Sequence, residues 1–68
     1  MPPLRSSNLA AADYDKDRGV LVLDFLDGSQ YEYPGVPVAV YEALLSAPSP
    51  GQFAFRNIYP HYPNVKVF

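Results

Sequence analysis

Arg56 stands among Phe53, Phe55, Tyr59, His61 and Tyr62, a density of rings unusual for so short a stretch. A guanidinium among rings suits a planar anion, because it offers paired donors to a phosphate and can stack on a base. The alternative is that these rings complete a core and Arg56 pairs with an acid. A second pair of rings lies at Tyr31 and Tyr33, separated by Glu32. Side chains alternate along a strand, so both rings share a face and Glu32 takes the other. A tyrosine pair on an open sheet face can stack bases, each worth roughly 1–3 kcal/mol. The same pair, half buried, would stabilise a small core by area alone. Alternation fixes the shared face without saying which face it is.

Ser6, Ser7 and Asn8 could offer hydroxyl and amide groups to a phosphate or a base edge, and could equally cap the first strand. Asp13, Asp15 and Asp17 superficially resemble a calcium loop. The glycine falls one position late and the closing glutamate is missing, so they read as solvated turn acids. His61 with the serines and aspartates invites a triad, but triads are recognised by geometry and no nucleophile elbow is present. His61 acting alone as a general base on a nucleotide is a minor reading. There is no glycine-rich phosphate loop. The chain contains no cysteine and a single histidine, so neither a disulfide framework nor a compact zinc site is expected. No cofactor, no metal and no enzymatic activity are expected.

These side chains need a scaffold, and 68 residues leave room for one small domain with a thin core. An apolar content of 49% belongs to a folded chain. Stability must come from packing, from turns stiffened by eight prolines, or from self-association. The formal charge of -2 counts against tight phosphate-driven binding of long duplexes, though not against a pocket with one local cation. The N-terminus lacks the apolar run of a signal peptide, and the stretch from Val20 to Leu23 is too short to span a bilayer. A cytoplasmic protein with no membrane partner is expected, including the case of a phage protein made in a bacterial host.

Residues 1–5 read as a loose arm, and residues 6–68 as one domain. Leu9 to Tyr14 is a weak strand, since three alanines have poor strand propensity. Asp15 to Gly19 is a turn. Val20 to Leu26 alternates clearly, with Leu21, Leu23 and Phe25 expected on the core side. Asp27-Gly28 is a two-residue hairpin signal, returning the chain as Ser29 to Tyr33. Pro34 ends that strand and Pro37 suits the start of a helix. Val40, Tyr41, Leu44 and Leu45 form one apolar stripe of a helix of two to three turns, which Ser46 to Gly51 ends. The prediction is an α+β fold: a three-stranded antiparallel meander, one packed helix and an aromatic C-terminal segment. Asn64 to Phe68 could add a fourth, edge strand.

The order of these features resembles the KTSC domain family. The carrying residues are Ser7-Asn8, Tyr14-Asp15, Leu21 to Phe25, Gly28, Tyr31-Glu32-Tyr33, Val36-Pro37, Tyr41 to Leu45, Ala47, Ser49, Gly51 and Ile58. The resemblance covers about residues 6 to 62. Family members are similar to a module at the C-terminus of some lysyl-tRNA synthetases and also occur as stand-alone bacterial and viral proteins. That context implies RNA binding. It also implies a cation before the late isoleucine, here Arg56. Members often carry further Arg or Lys where this chain has Tyr59 and His61, which exchanges phosphate-seeking charge for stacking surface.

Together these features favour a non-enzymatic binding module for a nucleotide-type ligand. Tyr31, Tyr33, Tyr59 and Tyr62 would stack bases, and Arg56 would hold phosphate. His61, Ser7 and Asn8 would lie nearby. The ligand is RNA or a small nucleotide signal, the latter sequestered in the manner of a phage sponge. A module that binds a protein, or its own copy, through the aromatic tail is the other reading. A homo-oligomer, a dimer or larger, is expected from the small core and surplus rings.

Overall fold

The computed structural model describes residues 8–68. The expected arm at residues 1–5, and the candidate positions Ser6 and Ser7, lie outside the described residues. The element order is β1 (Leu9–Asp15), β2 (Val20–Phe25), β3 (Gln30–Pro34), α1 (Val38–Ser46), α2 (Pro50–Asn57) and β4 (Val65–Lys66). The four strands form one antiparallel sheet in the order β1-β2-β3-β4. The expected meander, helix and fourth edge strand are all present, and a second helix joins them.

Register makes the faces explicit, because directly opposed residues share a face. One row runs Tyr14, Leu21, Tyr33 and the next runs Ala12, Leu23, Tyr31, Lys66. Leu9 opposes Phe25 on the same side. This is the core face: Leu9, Ala12, Leu21, Leu23 and Tyr33 are buried in it, with Val36, Leu44, Ala54 and Ile58 packed on top. Leu9 and Ala12 are three positions apart and would face opposite ways in a regular strand. An irregularity between Leu9 and Ala11 inserts Ala10 as an extra residue and turns both inward. The polyalanine strand is therefore held by tertiary packing against its own propensity. Tyr14 reinforces it: its ring stacks on Tyr41 of α1 at 5.6 Å, and its Oη donates to the Val36 carbonyl at 2.6 Å. The opposite face carries polar pairs. Arg18 makes a two-pronged contact with Glu32 at 3.1 and 3.3 Å, and Gln30 Nε2 donates to Asp24 at 2.7 Å.

The first turn is as expected. Asp15 Oδ1 accepts from the backbone N–H groups of Asp17 and Arg18, and Gly19 takes φ +67°. The second turn is one residue longer than the Asp-Gly signal implied. Phe25 N–H donates to Ser29 O and Gly28 N–H donates to Phe25 O, so Leu26, Asp27 and Gly28 form a three-residue loop. Gly28 supplies its left-handed residue at φ +90°, the usual closure of a three-residue hairpin.

α2 corrects the reading of Ser46 to Gly51 as a simple stop followed by a loop. Ser49 accepts the Gln52 N–H as N-cap and Pro50 takes the first helical position, where its missing N–H costs nothing. α1 ends at Ser46 with Ala47 as its C-cap, and Ser49-Pro50 starts the next helix. Within α2, Ala54 points inward and Ile58, just past its end, joins it at the four-residue spacing of one face.

Candidate functional site

β2, the β2–β3 loop, β3 and the chain after α2 converge on a pocket of about 340 Å³. Its ring walls are Phe25, Tyr31, Tyr33 and Tyr59, and its polar groups come from Asn8, Asp27, Ser29 and Asn64. Small-molecule sites commonly have a volume of this order, and here rings and polar groups share the lining evenly. Phe25 and Tyr31 meet edge to face at 5.5 Å, and Tyr33 and Tyr59 stack at 6.0 Å. The turn that delivers Tyr59 is set by its own N–H donating to the Ala54 carbonyl at 2.9 Å.

Tyr33 and Tyr31 divide the two roles left open by alternation. Tyr33 is only 3% exposed and belongs to the core, whereas Tyr31 is half-buried and packs against it. Burial pushes the Tyr33 phenol up to about 12, with Tyr59 and Tyr31 adding to the shift. Burial also raises Tyr59, whose hydroxyl is buried without a hydrogen-bond partner among the described residues. Such an orphan hydroxyl is costly and marks where a ligand group or water would bond.

The raised phenol has a consequence for stability. Its native pKa lies above the unfolded value, so the stabilisation is complete below pH 10 and is lost as pH rises toward 12. A shift of this size corresponds to about 2–3 kcal/mol at full loss. We therefore expect the melting temperature to fall between pH 10 and 12, with late-titrating phenolate absorbance. Tyr33→Phe removes that titrating group, so its melting temperature should fall less over the same range. A flat stability profile there would contradict the buried phenol.

The other sequence candidates are dispersed. Asn8 is exposed and lines this pocket together with Tyr31, Tyr33 and Tyr59. Arg56 is exposed on the last turn of α2 and lines a separate depression with Ala47, Pro48, Ser49, Gln52, Phe53 and Asn57. His61 is exposed in the turn after α2, and Tyr62 is half-buried against the core. Neither of these two contributes to the pocket wall. No group of three or more His, Asp or Glu side chains among the described residues could hold a metal.

Sequence reasoning missed Phe25, Asp27, Ser29 and Asn64 in the pocket wall, and Lys66 on the same face of the sheet. Asp27 Oδ1 accepts from the Ser29 N–H at 2.9 Å and the Ser29 hydroxyl at 2.6 Å. These bonds, and then the nearby Lys66 charge, hold its carboxyl below the ordinary range. Lys66 opposes Tyr31 in the register, so it shares the pocket's face of the sheet. Asp27 was legible as a turn residue, and that reading hid its second use. Lys66 required knowing that β4 pairs with β3 in this register.

This geometry defines a small α+β domain, an antiparallel sheet with two helices on one face and an aromatic pocket beside them. The KTSC domain family profile matches residues 5–62, and the chain belongs to that family. A protein of Tsukamurella paurometabola is 39% identical over 62 residues, covering 91% of this chain and 92% of that one. An uncharacterized protein of Stutzerimonas stutzeri is 41% identical over 60 residues, covering 87% and 84%. The crystal structure of a KTSC domain protein from Yersinia pestis superposes with a TM-score of 0.90 at 31% identity, covering 98% of this chain and 94% of that one. No helix among the described residues is long and apolar enough to cross a membrane.

Proposed function

We propose that this KTSC-family chain is a non-enzymatic binding module for a nucleotide-type ligand, seated in the pocket walled by Phe25, Tyr31, Tyr33 and Tyr59. The observation that carries this reading is the convergence of four rings with four polar residues on one cavity of about 340 Å³. Tyr31 supplies the stacking ring, because it is the half-buried member of the central pair. The acidic balance of the chain favours a compact ligand over a long nucleic acid. Sequestration of a small nucleotide signal in the cytoplasm, in the manner of a phage sponge, is one use of such a pocket. Arg56 serves an RNA strand better than a mononucleotide, since it lies on another depression.

The test is thermal-shift and calorimetric titration with mononucleotides, cyclic nucleotides and short RNA. Tyr31→Ala should weaken binding by about tenfold, the loss of one stacking contact, while the protein still melts cooperatively. If no compound in the panel shifts the melting temperature, the reading falls.

A second reading rests on a different observation. Val65, Val67 and Phe68 are exposed along β4 and the residues after it, Phe68 at 73%. Phe55 on α2 is exposed at 70%. Exposed apolar surface of this kind suits a protein partner or a second copy of the chain. Sedimentation equilibrium of the wild type against Phe68→Ser distinguishes self-association from a monomer.

A further inference from the structure

The polar chemistry of the aromatic pocket narrows its ligand. Both Ser29 donors converge on Asp27 Oδ1, which orients the carboxylate. With both bonds on that one oxygen and Asp27 exposed, the carboxylate keeps acceptor capacity for a ligand. The carboxyl stays ionised through the neutral range, because those bonds and Lys66 lower its pKa. A phosphate placed in this pocket would face that charge and be repelled. The ligand part that suits the site is a ring with hydroxyl donors beside it.

From this arrangement, and resting on the nucleotide reading above, we infer that the pocket takes the nucleoside end of its ligand, with the ribose hydroxyls donating to Asp27. The base stacks on the ring wall at Tyr31. The phosphate lies outside the pocket, toward Lys66 on the neighbouring strand, which shares the face of Tyr31. Arg18, another cation in the described chain, is occupied by Glu32 on the opposite face of the sheet. A cationic ligand is disfavoured, since the Lys66 charge already acts on Asp27.

A carboxylate receiving a hydroxyl contributes more than a neutral pair, so removing that hydroxyl costs about tenfold in affinity. The experiment is calorimetric titration of the full chain with adenosine, guanosine, cytidine and uridine, each against its 2′-deoxy counterpart. The expected result is that at least one riboside binds about tenfold more tightly than its deoxy form. Asp27→Asn keeps an amide oxygen for both Ser29 donors, so the turn survives. It should bring the ribo-to-deoxy affinity ratio close to one, by weakening the riboside more than the deoxyriboside. Equal binding of ribo and deoxy forms overturns the Asp27 contact and leaves the nucleotide pocket standing. Absence of binding by all eight compounds, and by the nucleotide panel, overturns both.

Discussion

Tyr33→Ala should unfold the domain at room temperature. The ring occupies the third position of the row Tyr14, Leu21, Tyr33 and is 3% exposed. It packs on the core from below and stacks on Tyr59 at 6.0 Å. Truncating a buried aromatic to alanine costs about 3–5 kcal/mol, the transfer of the ring plus the cavity it leaves. A single core in a domain of this size rarely supplies more than about 3–5 kcal/mol in total. The two figures are equal in scale, so little or no folded population remains. Far-UV circular dichroism and a urea melt check it, and a cooperative transition near the wild-type midpoint would sink the argument. Tyr31→Ala is the matched control. Its ring is half-buried at the pocket, so the fold should persist and binding should weaken. The Tyr-x-Tyr motif then separates into a residue that holds the sheet and a residue that meets the ligand.

The features readable from sequence are those set by local pattern. The alternation from Val20 to Phe25 placed Leu21 and Leu23 in the core, where both are fully buried. The stripe Val40, Tyr41, Leu44, Leu45 marked α1, and only Leu45 escapes the interior. What was not readable depends on contacts between distant segments. The extra residue Ala10 is invisible as pattern, because three consecutive alanines carry no alternation to break. The ring cluster around Arg56 looked like one site because its members are sequence neighbours. α2 disperses them: Ala54 and Ile58 turn inward, which leaves Phe55 and Arg56 outward. The pocket, conversely, draws Asn8, Phe25, Asp27, Tyr31, Tyr59 and Asn64 from across the chain. No spacing rule brings such residues together, and sequence pattern points only to Tyr31, Tyr33, Tyr59 and Asn8 among them.

Leu44→Ala should lower the melting temperature by roughly 10 °C or more, because Leu44 is the side chain that α1 buries fully in the core. The helix has nine residues, too few to persist in water by propensity. Its N-cap is Pro37, which offers no side-chain acceptor, and neither its first turn nor its last carries a charge that would complement the helix dipole. Tertiary packing must therefore supply its stability. Within α1 only Leu44 is fully buried, at 0% exposure, while Val38 and Leu45 remain 39% and 38% exposed. Deleting the Leu44 methyl groups costs about 2–5 kcal/mol, and for a domain of this length each kcal/mol shifts the melting temperature by about 4–8 °C. The damage should also reach the other side of the core. α2 packs on α1 and carries Ala54 into the same cluster, so its Tyr59 wall loses support when α1 loosens. Leu45→Ala removes the same atoms one position along, from a side chain more than a third exposed, and should cost less than about 1 kcal/mol. Equal losses from the two substitutions would mean that α1 does not present the face described here, and the closure of the core over the sheet would have to be redrawn.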